Sequence, residues 1–342
     1  MAPILAHHDR TQVEVFCYSD VAVRQLFTRR VRSYAEHWRL IAGMTDEQVA
    51  DRIHEDRIDL LIDLTMHMAR NRMGVFARKP ARVQATYLAY CSTTGLDAID
   101  YRLTDPHIDP PGGPLPYVER SAYLPETYWC YEAPADAPPV QATPALVNGF
   151  ITFGCLNNFC KVSPPALATW AAILRDVPRS RLLLHAREGS HRNRVRDTFS
   201  AARVAGDRID FVATQPFADY LATYHRIDLA LDPFPYGGGT TTLDGLWMGV
   251  PVVTLKGETA VGRGGVSILS NLQLHDQIAA STDNYMRVAI DMARNVERLN
   301  ALRLSLRDRL RQSPLTNAPR FTRQLEKLYM QMVAGGDCGL KP

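Results

Sequence analysis

The residues with the clearest capacity for chemistry lie in a glycine-rich turn in the second half of the sequence. The segment LALDPFPYGGGTTTLDGLW (229–247) predicts a buried strand, a turn containing Gly237, Gly238 and Gly239, and a helix that begins at Thr240. Glycines let the backbone approach a ligand closely, and a helix N-terminus offers N–H groups and about half a positive charge. The turn is therefore predicted to bind a phosphate group. The alternative is a purely structural strand-to-helix turn, since the pattern matches neither common phosphate-loop motif.

Three side chains on the predicted helix add polar groups to this turn. Thr240 and Thr241 supply hydroxyl donors, and Asp244 follows one helical turn later on the same face. A carboxylate in that place can accept hydrogen bonds from ribose hydroxyls. The sequence contains no Asp-x-Asp pair, the usual ligand pair for a metal-bound diphosphate. A phosphate site here is therefore expected to neutralise charge with hydrogen-bond donors and without a metal ion.

Lys161 is the cation best placed to assist such a site. It lies between a predicted strand at 151–156 and a helix that opens at Ser163 and Pro164, so it follows the carboxyl end of a strand. The chain has only five lysines beside 34 arginines, and a cation with no role beyond solubility would more often be arginine here. The alternative is an ordinary surface lysine near a helix start.

Two further residues follow predicted strands. His67 comes after the apolar run at 58–64, where a histidine is more often a structural hydrogen-bonding group than a catalyst. Arg263 lies in the glycine-containing loop KGETAVGRGG (256–265) and either contacts a nucleotide or caps the following helix. The sequence alone does not choose between these interpretations.

These residues are positioned by an alternating pattern of secondary structure. Short apolar runs alternate with amphipathic stretches, which predicts an α/β fold with parallel sheets whose ligands bind at the carboxyl ends of the strands. Strands are predicted at 13–18, 58–64, 83–89, 101–104, 151–156, 181–185, 208–212, 228–232 and 251–255. Helices are predicted at 21–36, 45–57, 164–174, 191–204, 218–226 and 240–248, with helical structure from 285 to 333.

A proline-rich segment divides this pattern into two lobes. APADAPPVQATP (133–144) has four prolines in twelve residues, which is typical of a semi-rigid linker. We predict two Rossmann-like, doubly wound domains at 1–135 and 149–282, joined by a linker at 136–148 and followed by C-terminal helices at 283–342 that pack on the lobes.

Composition excludes several classes of protein. The net charge is +3 over 342 residues, so no nucleic-acid partner is expected. The six cysteines form no C-x-x-C pair, and no apolar run approaches the roughly 20 residues needed to span a bilayer. We therefore expect a cytoplasmic protein without a membrane partner.

Three long runs resemble a known family. They are CLNNFCKVSP (155–164), LDPFPYGGGTTTLDGLWMGVPVVTLKGET (231–259) and IDLLIDLTMHMARNRMGVFARKPARVQATYLAYCSTTGLDAIDYRLTDP (58–106). They resemble the catalytic region of the O-linked N-acetylglucosamine transferase and SPINDLY-like family, particularly its bacterial members. The resemblance covers nearly the whole chain. It implies a GT-B fold, a UDP-sugar donor, inversion at the anomeric carbon, no metal or other cofactor, and Ser or Thr of a protein as acceptor.

The resemblance also implies roles for residues outside the glycine-rich turn. Lys161 is similar in position to the family lysine that contacts the diphosphate and stabilises the departing UDP. Asn158 stands where animal members carry glutamine at the pyrophosphate. His67 matches the first-lobe histidine of bacterial members, near the acceptor side, and is assigned with Lys161 to the catalytic residues.

Within the turn, the resemblance implies contacts to the nucleotide. Thr240 and Thr241 match the paired threonines on the phosphates, and Asp244 matches the ribose-binding aspartate. Gly239 stands where animal members have histidine. Gly238 and Arg263 are assigned to the nucleotide site with them.

The sequence departs from the family pattern at its start. Family members normally begin the catalytic region with a strand and a histidine-containing turn, ahead of the helix that ends near LAHHDR (5–10), and the sequence given begins within that helix. The tetratricopeptide repeats that usually precede it are not in the sequence given either.

Three hypotheses follow from this pattern. The first is an active UDP-sugar:protein glycosyltransferase. The second is a nucleotide-sugar-binding module without turnover. The third is another GT-B enzyme, such as an N-glucosyltransferase acting on Asn or a nucleotide-sugar epimerase.

Overall fold

The chain forms two compact units. A computed structural model describes residues 1–21, 26–113, 115–336 and 338–339. Unit 1 comprises Met1–Glu132 together with Asn317–Pro342, and unit 2 comprises Ala133–Thr316. The proline-rich linker therefore belongs to unit 2, and the C-terminal segment at 283–342 is divided between the two units.

Unit 1 contains two parallel sheets. Its strands are β1 (Phe16–Ser19), β2 (His37–Leu40), β3 (Leu60–Asp63), β4 (Val83–Thr86), β5 (Tyr101–Thr104) and β6 (Arg120–Tyr123). Its helices are α1 (Ala2–His7), α2 (Leu26–Arg32), α3 (Asp46–Glu55), α4 (Met73–Ala77) and, from the C-terminal segment, α13 (Ala318–Val333). Strands β1 and β2 pair with each other, and β3 to β6 form a separate four-stranded sheet in sequence order.

Unit 2 contains one continuous parallel sheet. Its strands are β7 (Thr152–Cys155), β8 (Arg181–His185), β9 (Ile209–Val212), β10 (Leu229–Leu231), β11 (Val252–Leu255) and β12 (Ile278–Ala279). Its helices are α5 (Ala145–Asn148), α6 (Pro164–Asp176), α7 (Ser190–Ala201), α8 (Phe217–Thr223), α9 (Thr240–Trp247), α10 (Gly264–Asn271), α11 (Thr282–Arg294) and α12 (Val296–Gln312).

The strand order of unit 2 defines where a ligand binds. The sheet runs β9-β8-β7-β10-β11-β12, which is the Rossmann order 3-2-1-4-5-6. The order reverses between β7 and β10, and ligands of such sheets bind outside the carboxyl ends of the strands at that switch point. The switch point thus lies between the turn that contains Lys161 and the glycine-rich turn.

A hydrophobic core supports the sheet of unit 2. Every residue of β7 is buried, and the fully buried ring of Trp170 on α6 packs in the same cluster as Phe153. Burying aromatic and β-branched side chains stabilises the sheet by roughly 1.5–3 kcal/mol for each large residue. The strand that leads to Lys161 is therefore anchored in the hydrophobic core of unit 2.

Several sequence predictions need correction. The C-terminal helical structure predicted from 285 to 333 consists of three helices, because Asn295 and Asn317 accept hydrogen bonds from Arg298 N and Arg320 N and begin new helices. Strands β2, β6 and β12 and helices α4, α5 and α10 were not predicted. Part of the helix predicted at 21–36, residues 22–25, lies outside the described residues. Among the residues described, no helix is both long and apolar enough to cross a bilayer.

Candidate functional site

The glycine-rich turn links β10 to α9 at the switch point of unit 2. Asp232 immediately follows the strand, and the chain then passes through Gly237, Gly238 and Gly239 to the first helical residue, Thr240. Gly239 is the N-cap of α9 and makes no side-chain capping hydrogen bond. The start of α9 is thus placed where the fold predicts a ligand.

The amide groups of the turn are divided between internal and ligand-facing roles. Gly237 N–H donates to Val261 O at 3.3 Å, and Gly238 N–H donates to Asp232 Oδ1 at 2.7 Å. The Gly238 amide therefore faces the protein, and the assignment of Gly238 to the nucleotide site stays a prediction. The first helical bond runs from Leu243 N to Gly239 O at 3.0 Å, so the amides at 240–242 lack a partner within the helix.

Gly238 is needed for a steric reason instead. A Cβ atom at this position would lie 2.2 Å from Thr242 Oγ1 and 2.8 Å from Asp232 Oδ1. Real Cβ atoms essentially never show such short separations, so a larger residue would force the side chains of Thr242 and Asp232 to shift. The glycine thus shapes the site without contacting a ligand through its own amide.

Lys161 reaches this turn from the neighbouring strand. It ends a short 3₁₀ turn, Phe159–Lys161, that follows β7, and its Nζ lies 3.0 Å from Gly237 O and 3.9 Å from the centre of the Tyr236 ring. Asn158 is exposed and accepts a hydrogen bond from Cys160 N at 3.2 Å, which caps the same 3₁₀ turn. The structure therefore places the predicted cation beside the predicted phosphate turn.

The predicted ribose contact lies one turn into α9. Thr240 is exposed and Thr241 is half-buried, whereas Asp244 is only 5% exposed. Asp244 Oδ2 accepts a hydrogen bond from the Tyr220 hydroxyl at 3.0 Å, and burial raises the pKa of that hydroxyl. The carboxylate is thus held in place by a neighbour on α8.

Sequence analysis did not identify these tyrosines. The Tyr220 and Tyr224 hydroxyls lie 2.8 Å apart, and the Tyr224 hydroxyl donates to Thr241 O at 2.9 Å. Two tyrosines spaced four residues apart on a predicted helix are the signal that was available, because residues i and i+4 share one helical face.

Asp232 was also missed. Its side chain is 2% exposed, accepts the Gly238 N–H, and accepts the Thr254 hydroxyl at 2.7 Å. Burial raises its pKa to about 6, and the charge of Lys161 acts in the opposite direction. The available signal was an aspartate at the end of an otherwise apolar strand.

Arg263 occupies the N-cap of α10. It is 8% exposed, and its Nη1 lies 3.4 Å from Gly257 O in the same loop. That loop touches the glycine-rich turn through the Gly237 to Val261 hydrogen bond. The structure therefore places Arg263 on the loop adjacent to the turn.

His67 lies in unit 1, on the turn that follows β3. Asp63 accepts hydrogen bonds from Thr65 N and Met66 N at 2.9 Å and fixes the turn. His67 is exposed, and its Nε2 lies 2.8 Å from Thr94 O. Because a carbonyl only accepts, Nε2 carries the proton in this arrangement and Nδ1 is the basic nitrogen.

The arrangement of His, Cys, Asp and Glu side chains shows where a metal ion could bind. Among the described residues, no group of three or more His, Cys, Asp or Glu is arranged to hold a metal ion. The polar groups at the switch point are instead a lysine, hydroxyls, amides and two separate carboxylates.

The chain is similar to known glycosyltransferases over most of its length. The model of glycosyl transferase family 41 matches residues 1–134 and 140–325. A probable UDP-N-acetylglucosamine–peptide N-acetylglucosaminyltransferase SPINDLY of Arabidopsis thaliana is 40% identical over 336 residues, which is 96% of this chain and 37% of that protein. The corresponding SEC protein of the same plant is 30% identical over 97% of this chain. The chain thus spans little more than a third of these relatives.

Solved structures agree with this assignment. A mutant O-GlcNAc transferase of Thermobaculum terrenum superposes with a TM-score of 0.92 and 37% identity, covering 98% of this chain and 64% of that one. Anabaena HepE in complex with UDP and glucose has a TM-score of 0.57 at 12% identity, which shows a shared fold alone. These similarities confirm the GT-B fold predicted from sequence, and the chain belongs to glycosyl transferase family 41.

Proposed function

We propose that this chain carries the catalytic chemistry of a glycosyltransferase that moves N-acetylglucosamine, or a related sugar, from a UDP-sugar to Ser or Thr hydroxyls of proteins. The observation that carries the proposal is the start of α9 at the switch point with Lys161 Nζ 3.0 Å from Gly237 O. The relatives' names supply the sugar and the peptide acceptor.

The chemistry of transfer fits these groups. The bond between the anomeric carbon and the diphosphate breaks, a bond to the acceptor oxygen forms, and the acceptor hydroxyl loses its proton. Negative charge develops on the departing UDP. The helix N-terminus, the Thr240 and Thr241 hydroxyls and the Lys161 ammonium would stabilise that charge, and losing one preorganised donor commonly costs about 10²- to 10³-fold in rate.

We further propose that the reaction inverts the anomeric carbon and needs no metal ion. The positive groups at the turn supply the charge that a metal would otherwise provide. Asn158 and Arg263 extend the nucleotide site around the turn, and Asp244 holds the ribose hydroxyls. Each of these assignments rests on position in the family pattern and on the side chain's place in unit 2.

His67 is proposed to act on the acceptor side. Its exposed ring presents a basic Nδ1, because Nε2 carries the proton and donates it in a hydrogen bond to Thr94 O. Glu119 in turn accepts hydrogen bonds from the backbone N–H and the hydroxyl of Thr94. This support orients the ring to accept a hydrogen bond from an acceptor hydroxyl.

The cytoplasmic location stays a prediction. It rests on six cysteines that all carry free thiols, as expected in a reducing compartment. The partners proposed are the UDP-sugar and an acceptor protein or peptide.

A labelled transfer assay tests the proposed function. The chain is incubated with UDP-GlcNAc or UDP-glucose carrying a labelled sugar and with acceptor polypeptides, and alkaline β-elimination is applied to the product. Label that is released by alkali and absent with Lys161→Met would support O-linked transfer to Ser or Thr. Label that resists alkali would favour the N-glucosyltransferase hypothesis. UDP binding with neither transfer nor hydrolysis would favour the binding module.

A further inference from the structure

One buried carboxylate holds the glycine-rich turn from inside. Asp232 Oδ1 accepts the Gly238 N–H and its Oδ2 accepts the Thr254 hydroxyl, both at 2.7 Å. The Tyr285 hydroxyl donates to the backbone carbonyl of Asp232 at 3.0 Å. Three different elements therefore fix this one residue.

Glycines from two loops enclose the same carboxylate. A Cβ atom would lie 3.0 Å from Oδ2 at Gly237, 2.8 Å from Oδ1 at Gly238 and 2.9 Å from Oδ2 at Gly265. Gly237 and Gly238 belong to the turn before α9, whereas Gly265 belongs to the first turn of α10. Both loops close on Asp232 only because these positions lack side chains.

Stability alone does not explain an acid in this place. A buried carboxylate loses its hydration, and that loss raises the pKa of Asp232 to about 6. Its two hydrogen bonds instead fix the direction of a particular backbone amide. The Gly238 N–H thus points toward the carboxylate, one residue before Gly239, which is the N-cap of α9.

We propose that Asp232 is a positioning residue for the diphosphate site, acting through the Gly238 amide to hold the start of α9 in its binding conformation. The role rests on the proposed function, because it names how the turn is prepared for the nucleotide. Asp232 itself makes no contact with the ligand in this account. Thr254 assists by fixing the second carboxylate oxygen.

The other end of β10 provides a matched control. Asp228 is also fully buried, and it accepts hydrogen bonds from Ala145 N at 2.8 Å, Thr152 N at 2.7 Å and the Thr143 hydroxyl at 3.2 Å. It immediately precedes the amino end of the strand, and Asp232 immediately follows the carboxyl end. Asp228→Ala therefore removes a similar buried network without touching the turn.

The test compares Asp232→Ala, Asp232→Asn and Asp228→Ala in the full chain by two measurements. Calorimetry gives the affinity for UDP, and hydrogen exchange without nucleotide reports on peptides spanning 234–246. Asp232→Ala is expected to weaken UDP binding at least tenfold and to speed exchange in this segment. Asp232→Asn keeps an Oδ1 acceptor for Gly238 and should stay within about threefold of the parent. Asp228→Ala should lower the melting temperature with UDP affinity unchanged.

Two outcomes overturn the proposal: Asp232→Ala binding UDP like the parent, or Asp228→Ala losing affinity to the same extent. If Asp232→Ala does not fold, Thr254→Val replaces it, with a two- to fivefold loss of affinity and faster exchange in 234–246 expected. Unchanged affinity and exchange in that variant would contradict the role. If the parent binds no UDP, the proposed function fails, and exchange in 234–246 still decides whether Asp232 holds the turn.

Discussion

The turn after β3 in unit 1 and the turn after β10 in unit 2 are held by the same kind of contact, but they expose different groups. A buried aspartate lies at the carboxyl end of each strand: Asp63 is the last residue of β3, and Asp232 directly follows β10. Each accepts a hydrogen bond from the hydroxyl of a threonine on the next strand. Thr86 is the register partner of Asp63, and continuing the β10–β11 register by one residue sets Thr254 opposite Asp232. The same aspartate–threonine contact is therefore found at the start of both turns.

The two turns differ in what they expose. After Asp63 the chain turns within three residues, with Met66 at a left-handed φ of 43°, and presents the His67 side chain. After Asp232 it runs through three glycines and presents the backbone amides that begin α9. The same strand-end support thus serves a side-chain site in one unit and a backbone site in the other.

The largest expected effect concerns the cation of the backbone site. Lys161→Met keeps much of the aliphatic stem and removes the charge 3.0 Å from Gly237 O. Turnover should fall at least about 10²-fold, because the ammonium acts mainly on charge that develops in the transition state. UDP affinity should fall far less. Steady-state kinetics measures the turnover and calorimetry measures the UDP affinity of the same preparation. Near-normal turnover would show that Lys161 is an ordinary surface lysine.

The second prediction uses the pH dependence of stability. The pKa of Asp232 is about 6 in the folded chain and has its ordinary value of 3.8 when unfolded, so the folded state binds more protons between these values. Stability from this group is therefore lost as pH rises from about 4 to 6. The amide of Asp232→Asn does not titrate. As pH rises through this range, the free energy of unfolding of the parent should therefore fall on the order of 2–3 kcal/mol further than that of the variant. Denaturant unfolding at pH 4 and pH 7.5 measures the difference, and parallel losses would refute the assignment.

The third prediction tests the ribose contact. Asp244→Ala should weaken UDP binding at least about tenfold, because a hydrogen bond to a charged group is worth roughly 1.5–3 kcal/mol. Asp210→Ala is the matched control, since Asp210 is a carboxylate of the same unit that pairs with Arg181 at the sheet edge. Calorimetry should find UDP affinity unchanged in the control. Equal losses of UDP affinity in both variants would show that Asp244 does not contact the nucleotide.

The smallest effect is expected in the side-chain site of unit 1. His67→Ala should lower transfer to an acceptor by about five- to tenfold, the worth of one hydrogen bond, and leave UDP affinity unchanged. His67→Gln, which offers an amide acceptor, should recover part of the rate. A loss of UDP affinity in His67→Ala would show that the two sites are not separate in function.

Sequence patterns predicted the strands and turns whose formation depends on residues that are neighbours along the chain. Strands β5 and β8 were predicted with their observed bounds because each is a short run with a buried face. The glycine-rich turn was identified because glycines and a helix start are local signals. Strand β2, HWRL, was missed because it is polar and only partly buried.

Contacts between strands could not be predicted in this way. Asp232 and Thr254 are 22 residues apart, and nothing local shows that their side chains meet. The hydrogen bond from the Gly238 amide to Asp232 was not predicted for the same reason, although the two residues are only six positions apart. Local patterns locate a turn, whereas the pairing of strands decides which of its groups are exposed.

Calorimetry of the unmodified chain with UDP and with uridine, both in EDTA, tests the central claim most directly. If the α9 amides and Lys161 bind the diphosphate without a metal, UDP should bind in EDTA at least tenfold more tightly than uridine, which lacks the diphosphate. Equal affinities for UDP and uridine, or UDP binding that disappears in EDTA, would contradict the account.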